Sequence, residues 1–165
     1  MDYGRWYSRI SAPFRSARRA RALDRLDKGC VLVLAAAYLV SLFLLACTVN
    51  PAFWKAAAVP LAAFAGVTAL RRALNLPRPY EQWPNGPLLP ATAEGRSCPS
   101  RHVASAAIIA MELFWLQPAA GAVAWVLCAV VAFTRIVGGV HYPRDVAAAL
   151  AFSGAVGAIG FYLVP

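Results

Sequence analysis

Charge is scarce in this chain. Charged residues make up 14% of it and hydrophobic ones 61%, against roughly a quarter charged in a soluble domain, and that shortage excludes an ordinary water-soluble fold. Cysteine offers no framework: Cys30, Cys47, Cys98 and Cys128 contain no CxxC pair and three of them lie in apolar runs. They read as small buried side chains, not as a disulfide or zinc scaffold. No internal repeat and no low-complexity segment is visible. A cleaved export signal is not legible either, because a charged segment of 28 residues precedes the first apolar run and a second run follows closely. Histidine is rare as well, with His102 and His141 alone.

What is present is a series of apolar stretches. Residues 29–49 are free of charge, and 21 residues at 1.5 Å each cross a hydrocarbon core of about 30 Å. Further spans are expected over 51–70, with a kink at Pro60, and over 101–116, 119–133 and 146–164. The fold class is therefore all-α, a polytopic membrane helix bundle of about five transmembrane helices. Glycines 154, 157 and 160 in the last span would let helix backbones approach closely.

Residues 1–28 form a basic amino-terminal segment and 29–165 the transmembrane domain. The segment interleaves Arg5, Arg9, Arg15, Arg18, Arg19, Arg21, Arg25 and Lys28 with Trp6, Tyr7, Ile10, Phe14 and Leu23. That mixture suits an amphipathic helix on an anionic membrane face; a solvated basic tail is the plainer alternative. The net charge of +9 points to anionic lipids or phosphates as partners, and not to nucleic acid.

Residues 73–99 carry six prolines, which prevent a long helix and favour a functional loop at the membrane interface. Two spans separate this loop from residues 135–145, so both face the same side of the membrane. Three polar blocks lie there. Arg71 and Arg78 sit in RRALNLPRPY; Ser100, Arg101 and His102 follow Pro99 at the start of a span; Arg135, His141 and Asp145 sit in TRIVGGVHYPRD. Alone, each has an ordinary explanation: stop-transfer arginines, a Ser N-cap, an Asp helix cap. Together they gather both histidines and most of the chemistry outside the amino-terminal segment.

The three blocks resemble the signature of the type 2 phosphatidic acid phosphatase family: a basic residue, six residues, Arg-Pro; then Pro-Ser-x-His; then Ser/Thr-Arg, five residues, His, three residues, Asp. Order and spacing match, with Arg71, Arg101 and Thr134 standing where the family usually has Lys, Gly and Ser. The resemblance implies a membrane phosphatase without cofactor or metal, acting on a lipid phosphate or diphosphate. His141 would be the nucleophile, Asp145 its orienting carboxylate and His102 the acid for the leaving oxygen. Arg71, Arg78, Ser100, Arg101 and Arg135 would bind the phosphate. Residue chemistry agrees, since a neutral imidazole attacks phosphorus and guanidiniums offset the charge that develops.

Two rivals remain open. Two histidines and an aspartate could ligate zinc, although several guanidiniums nearby would oppose a dication. A non-catalytic membrane adaptor could bind anionic lipid through residues 1–28. The expected location is the cell membrane, with several passes. Fifteen Lys and Arg fall on the face of the site loops and Lys55 alone on the other, a bias toward the cytoplasm, whereas the resemblance points to the outer face.

Overall fold

Seven α-helices carry the described part of the chain in this computed structural model, which covers residues 3–84, 86–91 and 93–164. They are α1 (Tyr3–Ser11), α2 (Ala17–Cys47), α3 (Ala52–Leu74), the single turn α4 (Pro79–Gln82), α5 (Arg101–Leu116), α6 (Pro118–Val137) and α7 (Pro143–Gly157). A 3-10 turn, Ala12–Phe14, joins α1 to α2, and α7 continues as a π-helical turn, Ala158–Leu163. Among the described residues there is no strand.

Local chemistry sets the ends. Ser16 accepts from the Arg19 amide at 3.4 Å and starts α2. Asn75 takes the left-handed conformation (φ 39°) that stops α3. Gln117 alone separates α5 from α6, its side chain accepting from the Ala120 amide at 2.8 Å, and Pro118 opens α6. Pro60 sits inside α3 without ending it.

Four helical stretches are long and apolar enough to cross a membrane: Ala17–Cys47, Ala52–Gln82, Pro118–Val137 and Pro143–Leu163. The fifth, α5, has 16 residues, about 24 Å at 1.5 Å per residue. It compensates by position. α5 packs against α2, α3, α6 and α7, and Val103, Ala104, Ala106, Ala107, Ile108 and Ala110 on it are buried. The outer helices meet lipid instead: Leu32, Leu39 and Phe43 on α2 and Val123 and Val126 on α6 are exposed. In water so many exposed apolar side chains would be costly; in a bilayer they are solvated.

Small residues allow the close packing. A Cβ on Gly157 would lie 2.6 Å from Met111 Sδ and one on Gly160 2.5 Å from Val59. Gly154, expected to act likewise, faces open space with nothing within 4 Å. Glu112, in the interior of α5, is fully buried and accepts from Ser41 Oγ on α2 at 2.8 Å. The pairing is interhelical, and ten residues of helix place it about 15 Å from His102.

The amino-terminal segment differs from a free tail. α2 begins at Ala17, so the first long helix runs through residues 17–28. α1 keeps the amphipathic pattern, but part of its apolar side is covered by protein. Tyr7 is 2% exposed, and the Tyr3 ring lies 4.6 Å from Tyr142 and 5.9 Å from Trp83.

Candidate active site

The two interhelical connections meet at one end of the bundle, as the span count requires. Only residues 138–142 separate α6 from α7, so the connection is shorter than its sequence suggests. Arg135 stands in the last turn of α6 and Asp145 in the first turn of α7. The long connection between α4 and α5 folds over this turn: the amides of Leu88 and Leu89 donate to the Gly138 carbonyl at 2.9 and 3.3 Å. Leu89 packs with Leu23, Val137 and Val140. Trp83 Nε1 donates to Tyr142 Oη at 3.2 Å, which in turn donates to Gln82 at 2.6 Å.

Gly139 is the tightest point of the turn. Its φ is +73°, and a Cβ there would lie 2.3 Å from Tyr7 Oη. An L side chain in that conformation costs roughly 1–2 kcal/mol, and overpacking against a buried ring adds about 1–3 kcal/mol. Gly139→Ala is therefore expected to lower the apparent Tm in detergent and to loosen α1. Removing the hydroxyl in Gly139→Ala/Tyr7→Phe should recover part of the loss; equal Tm values for wild type and Gly139→Ala would contradict the packing.

Asp145 is wholly buried and ties the blocks together. Its Oδ2 accepts from Ser97 Oγ at 2.5 Å and from the Tyr142 amide at 3.0 Å. Its carbonyl accepts from the Ser100 amide at 3.0 Å. His141, 2% exposed, presents Nδ1 to Asp145 Oδ2 at 3.5 Å. That gap exceeds a well-formed hydrogen bond, yet Nδ1 is buried with no other partner. Asp145 thus caps α7 and also faces the His141 imidazole, so the two readings of its position do not exclude each other.

The cations come from separate elements: Arg71 from α3, Arg78 from the residue before α4 and Arg101 from α5. Arg71 is buried, and its Nη1 donates to the Pro99 carbonyl at 2.5 Å and to Ser97 at 3.3 Å, holding the loop before α5. Arg78 Nε donates to the Gly95 carbonyl at 3.0 Å. Arg101 lies 5.7 Å above the Phe64 ring. His102 lies in the first turn of α5, half-buried, within electrostatic reach of Arg135, His141, Arg101 and Arg71. Ser100 occupies the N-cap position of α5, but its hydroxyl makes no capping bond and is buried without a partner. Arg135 Nε is likewise buried without a partner. Both are donors with no protein acceptor, and Ser100 stands at a helix start, where an anion is favoured.

Two cavities flank these groups and share Arg101. One, of about 180 Å³, is lined by Arg71, Arg72, Arg78, Glu94, Arg96 and Arg101 among others. The other, of about 280 Å³, is apolar and runs from His102 along Leu34, Phe64, Ala106 and Ile109. His141 and Arg135 line neither.

Burial pushes His141 below the ordinary histidine range; Arg78 and Arg71 act in the same direction and Asp145 opposes them. The imidazole is accordingly neutral near pH 7, the form that can attack an electrophile. Burial and the nearby Asp145 carboxylate push the Cys98 thiol up, which removes it as a rival nucleophile. Among the described residues no three His, Cys, Asp or Glu side chains gather as a metal-ligating group.

Sequence reasoning did not find Ser97, Tyr142 or Asp27. Asp27, 2% exposed on α2, pairs with Arg135 at 2.5 Å. The only signal was an acidic residue just before an uncharged run.

No curated protein matches the chain. Among solved structures the fold is similar to LpxE from Aquifex aeolicus, with a TM-score of 0.74 and 22% identity, covering 94% of this chain and 92% of that one. A looser likeness, TM-score 0.48 at 22% identity over 96% and 90% of the chains, is to the first transmembrane PAP2 type phosphatidylglycerolphosphate phosphatase from Bacillus subtilis. Residues 30–165 match the PAP2 superfamily as a whole. That segment holds all three polar blocks, and the chain belongs to the PAP2 superfamily.

Proposed function

We propose that the protein is an integral phosphatase of the cell membrane that hydrolyses a lipid phosphate or diphosphate through a phosphohistidine. The chemistry falls within residues 29–165. His141 Nε2 attacks phosphorus while Nδ1–H is held toward Asp145. The bond to the leaving oxygen breaks as His102 protonates it. Water, deprotonated by His102, then attacks the phosphohistidine, the P–N bond breaks and inorganic phosphate leaves. Arg71, Arg78, Arg101, Arg135 and Ser100 hold the non-bridging oxygens and offset their growing charge.

The observation that carries this reading is the buried His141–Asp145 pair, with the partnerless Ser100 hydroxyl and Arg135 Nε–H nearby. The apolar crevice beside His102 supports a lipid substrate, since an acyl chain can lie along Leu34, Phe64 and Ile109 while the phosphate meets the arginines. Arg18, Arg21 and Arg25 are exposed along α2, on one helical face, which supports a contact with anionic head groups. The donor set is poor for a dication, because the carboxylate and imidazoles stand among guanidiniums that repel it.

Purified protein in detergent is expected to release phosphate from phosphatidic acid, phosphatidylglycerol phosphate or a polyprenyl diphosphate in the presence of EDTA. Vanadate, which mimics the five-coordinate phosphorus, should inhibit it. Activity that appears only on adding a metal would overturn the metal-free mechanism, and no hydrolysis of any of the three would sink the reading.

A further inference from the structure

Asp27 lies outside the segment that matches the superfamily and outside the three polar blocks, yet it is among the most buried charged groups of the protein, at 2% exposure. Both oxygens are engaged by consecutive residues of α6. Oδ1 accepts from Thr134 Oγ1 at 2.7 Å, and Oδ2 meets Arg135 Nη2 at 2.5 Å. A buried carboxylate is strongly unfavourable without such partners. Two contacts from adjacent residues fix the carboxylate against α6 and leave the guanidinium little rotational freedom. Held by Nη2, Arg135 keeps Nε buried and partnerless, within electrostatic reach of His102 and Arg78.

We propose that Asp27 is a positioning residue: it fixes the Arg135 guanidinium through Nη2 so that Nε–H, left without a partner, is presented to the phosphate in the transition state. The inference rests on the phosphatase reading above. It gives Thr134 a task as well, since the hydroxyl secures the second oxygen of the same carboxylate. The opposite effect is also physically available, because a carboxylate beside Arg135 competes with a phosphate for it; removal would then tighten binding. Orientation outweighs competition here, as Asp27 occupies Nη2 and leaves Nε open.

The test is steady-state kinetics of the full chain in detergent. Asp27→Asn is expected to lower kcat about 30-fold, in line with the cost of misplacing a transition-state donor, with KM changed less than about threefold. In an Arg135→Ala background the same substitution should add less than about twofold, because its effect passes through that guanidinium. Asp27→Glu should recover part of the loss. Asp24→Asn, which removes a neighbouring charge paired with Lys28 at 2.6 Å, should leave kcat unchanged. Should Asp27→Asn not fold, Thr134→Val, which loses one of the two contacts, is expected to lower kcat about fivefold. A folded Asp27→Asn with wild-type kcat, a lowered KM at full kcat, or additive effects with Arg135→Ala would overturn the proposal. An inactive wild type would overturn the phosphatase reading instead, and vanadate-induced thermal stabilisation then decides on Asp27. A shift in wild type that shrinks in Asp27→Asn supports it; equal shifts, or none, overturn it.

Discussion

Replacing His141 with alanine is expected to abolish phosphate release, with a loss of at least about 10⁴-fold in kcat, the scale on which removal of a covalent nucleophile acts. The ring is buried against Asp145 and surrounded by the cations of the site, so no other imidazole can take its place. His102 stands on another element, in the first turn of α5. His141→Asn, which keeps most of the volume, should lose as much activity while disturbing packing less. Rapid quenching with radiolabelled substrate adds a direct readout: wild type should yield an acid-labile, base-stable phosphoprotein and neither variant should. Residual turnover above a few per cent in a folded His141 variant would assign the attack to another group.

Asp145→Asn is expected to lower kcat by about 10²–10⁴-fold, as loss of the orienting carboxylate does where an imidazole must hold one tautomer. Its pH dependence carries a second signature. Burial, with Arg78 and Arg71, lowers the His141 pKa, while the facing Asp145 carboxylate raises it. Removing the carboxylate therefore moves the His141 pKa further down. Because the neutral ring is the reactive form, the acid limb of kcat/KM should shift to lower pH even as the plateau falls. Wild type is itself expected to have its acid limb below the ordinary histidine value of about 6.5. A limb that stays fixed would separate Asp145 from the imidazole, and a plateau unchanged from wild type would remove it from the reaction. Asparagine can still accept through its side-chain oxygen from Ser97 and the Tyr142 amide, so the turn itself should survive.

The helices and the polar blocks could be read directly from the residues, because uncharged runs and clustered reactive side chains are local features. Residues 101–116 correspond to α5 end for end, since Ser100 precedes it and Gln117-Pro118 follows. Boundaries failed where a helix carries charge. α2 continues through Arg18, Arg21 and Arg25 because its first turns lie beyond the apolar stretch, and α6 runs past Phe133 to Val137. Ser97 and Asp27 were invisible for another reason. Ser97 is 48 residues from Asp145 and Asp27 is 108 from Arg135, and nothing in a pattern of residues reports a partner at that distance. Tyr7 looked like part of one side of a surface helix; that the covering surface is the turn around Gly139 depends on where α1 lands.

The single-residue joint at Gln117 has a consequence for biogenesis. α5 is too short to be held by the bilayer alone, and the backbone of Phe114 lies against Gly121, where a Cβ would meet it at 2.2 Å. The two helices are therefore best inserted together as a closed hairpin, with α6 supplying the hydrophobic length that its partner lacks. The depth of His102, in the first turn of α5, is then set by the anchorage of a neighbouring helix.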